Sequence, residues 1–200
     1  MRPGWSSTNE RWGRSKEVLM FQRAVFGGVL IAGFLVAATA VHADSYADLK
    51  KAKAAFEGAR SWHAVERIST GQTVRIDHLA PDRWRIQLQP NVTEILVGSD
   101  MYIEENGRTI HLPTAMPQIQ QMVNRDWLEV QPEVRSTLRD LGMQSFNGAM
   151  LHEYTFTSKG YPVQLYLGRR DYPAASVVQT PNGTVTTTYS RYNAPLTISP

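Results

Sequence analysis

The chain has no cysteine among its 200 residues. That absence excludes a disulfide framework, thiol catalysis, a zinc–thiolate site and a lipid-modified N-terminal cysteine behind an export signal. Paired metal-ligand spacings are missing as well. His63, His78, His111 and His152 stand singly, with no His-x-His or His-Glu-x-x-His pattern to bring two imidazoles to one ion. There is no Gly-x-Ser-x-Gly elbow, and the glycines never form a phosphate-cradling run after a strand. The adjacent acids Glu104 and Glu105 fall on opposite faces of a strand and cannot act as a general acid/base pair. No catalytic residue, metal site or cofactor can be assigned, and the chain reads as a non-enzyme.

A basic surface is missing from the body of the protein. The pI near 9.3 and the net charge of +3 invite a nucleic-acid reading. Residues 1–43, however, hold five basic groups (Arg2, Arg11, Arg14, Lys16, Arg23) against two acidic ones (Glu10, Glu17), which leaves 16 of each for residues 44–200. The body is neutral, and a phosphate-binding surface needs a local excess of Lys and Arg. Nucleic acid is therefore not an expected partner.

Only one long hydrophobic run occurs, and it lies in that leader. "FQRAVFGGVLIAGFLVAATAVHA" passes from a basic patch ending at Arg23, through the uncharged stretch 24–41, to Val41 and Ala43 at the −3 and −1 positions of a cleavable signal peptide. Cleavage is expected after Ala43, with Met20 a candidate true start. The alternative is an uncleaved anchor, since the uncharged stretch just reaches spanning length. Both readings export residues 44–200 as a single domain, expected in the periplasm.

The exported part begins with a helix and continues mostly as strands. "SYADLKKAKAAFEG" offers Ser45 as N-cap and spaces Tyr46, Leu49, Ala52 and Phe56 helically, up to Gly58. From Ser61 the period becomes two. Strands are expected over 61–69, 72–79, 82–89, 92–97, 100–105 and 107–112, with Asn106-Gly107 a strong hairpin turn. Two short helices should follow. One starts near Pro117 and carries Met116, Ile119, Met122 and Val123; the other is "PEVRSTLRDLG" with Val134, Leu138 and Leu141. Strands resume at 145–158, 161–168, 174–180 and 184–192. Ten strands and three short helices make one α+β domain.

Alternation assigns the faces of this meander. "RWRIQLQ" sets Trp84, Ile86 and Leu88 opposite Arg83, Arg85 and Gln87. With them we place Val74 and Ile76, then Ile95 and Val97, then Ile103, Ile110 and Leu112. From the later strands come Tyr154, Phe156, Leu165 and Leu167. Arg75, Glu94, Glu104, His111 and Gln164 are expected outward. One apolar face on a long meander must be covered. A solid core plugged by helices is the plainer reading and a ligand-holding hollow the sharper one, and periodicity does not separate them.

The order of these pieces resembles a known group. "APDRWRIQL" with its Pro81-x-x-Trp84, "ILVGSDMYIEENG" with its Gly98-x-x-x-Tyr102, and the ending "TTTYSRYNAPLTISP" are similar to the periplasmic lipoprotein-carrier superfamily, the LolA/LolB-like proteins and their mycobacterial lipid-carrier relatives. The likeness spans residues 46–200. It implies an incomplete, half-open antiparallel β-barrel covered by short α-helices, whose apolar hollow carries lipid or acylated lipoprotein between membranes. The apolar residues named above would line the hollow, and Met116, Ile119, Met122 and Val123 would form a lid helix. Contact with membranes would be transient, with inner- and outer-membrane proteins for loading and release. One departure matters: the lipoprotein shuttles have an arginine before the strand's proline that helps hold the lid shut, and here that position is Ala80. A divergent carrier of lipid or another amphiphile fits better than a dedicated shuttle. The alternative is a periplasmic sensor or partner-binding module of the same fold with no transported lipid.

Overall fold

The computed structural model describes residues 45–113 and 132–200. The leader, its cleavage point and the lid-helix residues Met116, Ile119, Met122 and Val123 lie outside them. The chain opens with helix α1 (Ser45–Glu57) and a six-strand meander: β1 (Ser61–Ile68), β2 (Thr73–Leu79), β3 (Arg83–Gln89), β4 (Val92–Val97), β5 (Asp100–Glu105) and β6 (Arg108–Leu112). Helix α2 (Pro132–Thr137) leads into a five-strand meander. Its strands are β7 (Arg139–Phe146), β8 (Ala149–Ser158), β9 (Tyr161–Leu167), β10 (Pro173–Thr180) and β11 (Gly183–Ser190), with one 3-10 turn (Arg169–Asp171) after β9.

All eleven strands form one antiparallel sheet in the order β6-β5-β4-β3-β2-β1-β11-β10-β9-β8-β7. The two meanders join where β1 pairs β11, with Ala64 opposite Tyr189. Among the described residues strands β6 and β7 are the two edges and the sheet does not close on itself, an open antiparallel architecture that fits a half-open barrel.

The eleventh strand comes from a turn the periodicity read through. Residues 145–158, expected as one strand, are split at Asn147-Gly148, whose φ angles of 50° and 81° match the 50° and 74° of the expected Asn106-Gly107 turn. Positive φ at both central positions is the type I′ requirement that Asn-Gly meets at little cost. Helix α2 is correspondingly shorter than "PEVRSTLRDLG". Thr137 Oγ1 donates back to Glu133 O (2.8 Å) and accepts the Thr157 N–H (2.9 Å), which ends the helix and ties it to β8. Gly142, expected to stop the helix, instead sits at φ 70° in a bulge of β7, where its N–H donates to Asp140 Oδ1 (2.8 Å).

Register fixes two faces. The inner face carries Trp62, Ala64 and Ile68 of β1 with Tyr154, Phe156, Val163 and Leu165 of the second meander; the outer face carries His63, Asp77, Arg85, Thr186 and Thr188. The inner face has two unlike halves. Over β8 and β9 the helices supply the cover: Leu49 and Ala52 of α1, Val134 of α2 and Leu138 after it pack on Tyr154, Phe156, Val163, Leu165 and Leu167. Over β2–β6 the described members of the cluster are all strand residues, Val74, Ile86, Leu88, Leu96 and Met101, with Ile76, Trp84, Ile103 and Leu112 around them. Trp62, Ala59 and Ala64, with Phe56, Tyr189 and Tyr192, form a seam that touches Trp84 and Ile76.

Candidate functional site

Antiparallel pairing puts directly opposed residues on one face, so the β1–β6 half can be read as rows running across the strands. One row is Trp62, His78, Trp84, Leu96, Met101 and Leu112; the next is Ala64, Ile76, Ile86, Glu94, Ile103 and Ile110. The first is almost wholly apolar. In the second, a carboxylate interrupts an aliphatic line.

This arrangement corrects the expected orientation of β4. Ile95 and Val97 pair with Arg85 and Arg83 and so lie on the outer face, while Glu94 pairs with Ile86 and faces inward. The physical reason is that "VTEILV" is apolar on both parities, so its pattern cannot choose. The pairing, with an irregularity between Gln87 and Gln89, decides it. Ile95 is nonetheless buried, 1% exposed. Its outward side is the one to which the C-terminal segment is tied, Arg83 Nη1 donating to Ile198 O at 3.5 Å, with Ile198 itself fully buried.

The remaining expected lining residues fall into three groups. Val74, Ile76, Trp84, Ile86, Leu88, Ile103 and Leu112 come together in the strand-only cluster. Ile110 shares their face but stands on edge strand β6 and is 52% exposed. Tyr154, Phe156, Leu165 and Leu167 share the inner face as expected but pack against the helical residues of the other half. Arg83 and Arg85 face outward as expected; Arg85 lies 3.9 Å from Asp77, which bonds His63 at 2.7 Å.

Glu94 and His78 were not anticipated on the inner face. Glu94 is 4% exposed and its Oε2 has no hydrogen-bond partner. Burial pushes its carboxyl up to about 7, because taking a carboxylate out of water disfavours the charged form. His78 lies between the rings of Trp84 (4.3 Å between centroids) and Trp62 (5.2 Å), with Nδ1 buried and unpartnered. Desolvation lowers its pKa and outweighs a backbone hydrogen bond at Pro81 that acts the other way, so it is held toward the neutral form.

A second polar cluster lies under the start of α1. Asp140 bonds His152 Nε2 (2.6 Å) and receives the Ser45 hydroxyl (3.5 Å), and Tyr154 donates to Asp48 (3.1 Å). Serine, histidine and aspartate meet here in the wrong order for a nucleophile. The carboxylate stands between the other two, so the imidazole has no serine proton to accept. Among the described residues no group of three or more His, Cys, Asp or Glu could hold a metal ion, and no helix is long and apolar enough to cross a membrane.

Comparison with solved structures places the fold. The Mycobacterium tuberculosis lipoprotein LppX is similar over 78% of this chain and 98% of its own, with a TM-score of 0.62 at 14% identity. LprF from Mycobacterium bovis is similar over 78% of this chain and 96% of its own, with a TM-score of 0.58 at 17% identity. A LolA superfamily protein from Nitrosomonas europaea aligns more loosely over 76% of this chain and 94% of its own, TM-score 0.31 at 9% identity. No protein-family model matches the chain, and no curated protein matches it. The chain thus shares the fold of LppX and LprF; at these identities the likeness speaks to fold alone.

Proposed function

We propose that this protein is an exported, non-enzymatic carrier that takes an acyl chain against the inner face of β2–β6 and moves it across the periplasm. The observation that carries this reading is the asymmetry of the inner face. Where β8 and β9 are plugged by Leu49, Ala52, Val134 and Leu138, the β2–β6 half presents a largely apolar face whose cluster contains no residue of either described helix. The segment joining the two edge strands, where the lid residues Met116, Ile119, Met122 and Val123 are proposed, would close over the chain.

The energetics suit reversible binding. Each buried methylene contributes about 0.8 kcal/mol, so a chain of about 16 carbons offers on the order of 12 kcal/mol before ordering costs, enough to hold a lipid out of a bilayer. Release needs only the lid to open, since no covalent chemistry is involved. The leader supplies export, with cleavage after Ala43, and membrane proteins would load and unload the carrier.

Native mass spectrometry of the protein purified from the periplasmic fraction tests this. Co-purifying acyl masses, exchangeable for a fluorescent fatty acid, are expected. A clean apo mass together with no uptake of the probe would contradict a carrier and favour the sensor or partner-binding alternative.

A further inference from the structure

The carboxyl of Glu94 is hard to explain as packing. A fully apolar row would satisfy the sheet better, because burying a carboxyl without a partner is unfavourable whichever way it is protonated. Its cross-strand neighbours on the inner face are Ile86 and Ile103, and Trp84, Leu88 and Met101 lie diagonally. Its own strand adds Val92 and Leu96. The nearest charged side chains of that face among the described residues, Glu105 and Arg108, stand on the next row, pair with each other across β5 and β6, and are exposed. Among the described residues Oε2 is therefore a buried acceptor with no protein donor, set among apolar side chains.

We propose that Glu94 is the recognition point for a hydroxyl group carried by the bound amphiphile. The inference rests on the reading of the β2–β6 face as a hydrocarbon-binding surface and adds to it a requirement on the ligand. A plain acyl chain leaves Oε2 unpartnered, whereas a hydroxylated one completes it. A hydroxyl also serves both protonation states, donating to the carboxylate and accepting from the acid. An ammonium would serve only the ionised form and would bring its own desolvation cost into the apolar face.

Three fluorescent probes of equal length separate the possibilities: pyrene-dodecanol, its methyl ether and pyrene-dodecylamine, titrated into the purified wild type, Glu94→Gln and Glu94→Leu. The alcohol is expected to bind the wild type about tenfold more tightly than the ether, or more, as one hydrogen bond to a buried acidic group allows. The preference should survive largely in Glu94→Gln, whose amide also donates and accepts. It should collapse to near unity in Glu94→Leu, with ether binding kept. Equal binding of alcohol and ether by the wild type, or a preference that persists in Glu94→Leu, overturns the assignment while leaving the carrier reading intact. A Glu94-dependent preference for the amine over the alcohol overturns the hydroxyl class. Failure of all three probes to bind the wild type removes the carrier reading and this inference together. Glu94→Gln, close to isosteric, serves as the folding control.

Discussion

The two halves of the inner face share a sheet, a strand geometry and a similar supply of large apolar side chains, yet they are covered differently. Around Leu165 the face is a core, with side chains from α1 and α2 seated on β8 and β9. Around Ile86 the cluster among the described residues consists of strand residues, and its row is broken by an acid whose Oε2 no described group satisfies. The difference teaches that an apolar sheet face has no single meaning. It supports the fold where helices from the same chain fill it, and we propose that it serves a ligand where neither described helix does.

Mutation should separate the halves. Leu165→Ala leaves a cavity in a packed interior, so it should cost about 3 kcal/mol or more of unfolding free energy. Ile86→Ala should cost roughly half as much, because a face turned toward the proposed hollow would lose transfer energy without gaining a new void. Urea unfolding of both variants checks this, and equal losses would erase the proposed distinction.

A comparable effect should follow pH at Glu94. The Glu94 pKa is raised in the folded protein, so folding is favoured when the group is protonated in both states. That contribution is fully present below about 4.5 and is lost as pH rises through about 7. The difference amounts to about 3 kcal/mol. Glu94→Gln should remove this part of the pH dependence, measured as the difference between the two stability profiles. A profile of Glu94→Gln parallel to that of the wild type would place the acid in water.

The edge hairpins supply a control in which the halves should agree. Gly107 and Gly148 both sit at positive φ with open space where a Cβ would go. Gly107→Ala and Gly148→Ala should therefore each cost about 1 kcal/mol through backbone strain alone, seen as equal drops in Tm. Unequal losses would point to an edge held by more than its turn. The smallest effect is expected from Arg83→Ala, which removes a long, exposed-side hydrogen bond to Ile198. It should change global stability by under about 1 kcal/mol while speeding amide exchange in the last residues of the chain.

Much of this was legible in the residues. The alternation of Trp84, Ile86 and Leu88 with Arg83, Arg85 and Gln87 gave the faces of β3 directly, since only one parity there is apolar. The spacing of Leu49 and Ala52 marked the buried stripe of α1. What could not be read was β4, where Val92 and Leu96 compete with Ile95 and Val97 and an isolated glutamate is sent outward by any hydropathy rule. Ile95 is buried on the far face, the side where Arg83 ties down Ile198, a long-range tie that no local pattern encodes. Asn147-Gly148 was legible in principle: it carries the same dipeptide as Asn106-Gly107, but it sits inside a stretch whose strand pattern continues on both sides. The division of the inner face into a filled and a strand-only half depends on where two short helices land, and periodicity is silent on that.

The most direct test of the central claim is photocrosslinking with a fatty acid bearing an aliphatic diazirine at mid-chain, followed by peptide mapping of the labelled protein. Label concentrated on β2–β6, at residues such as Ile76, Ile86 and Met101, with little on Tyr154, Phe156 or Leu165, is the expected result. Label spread evenly over both halves, or confined to the outer face, would contradict it.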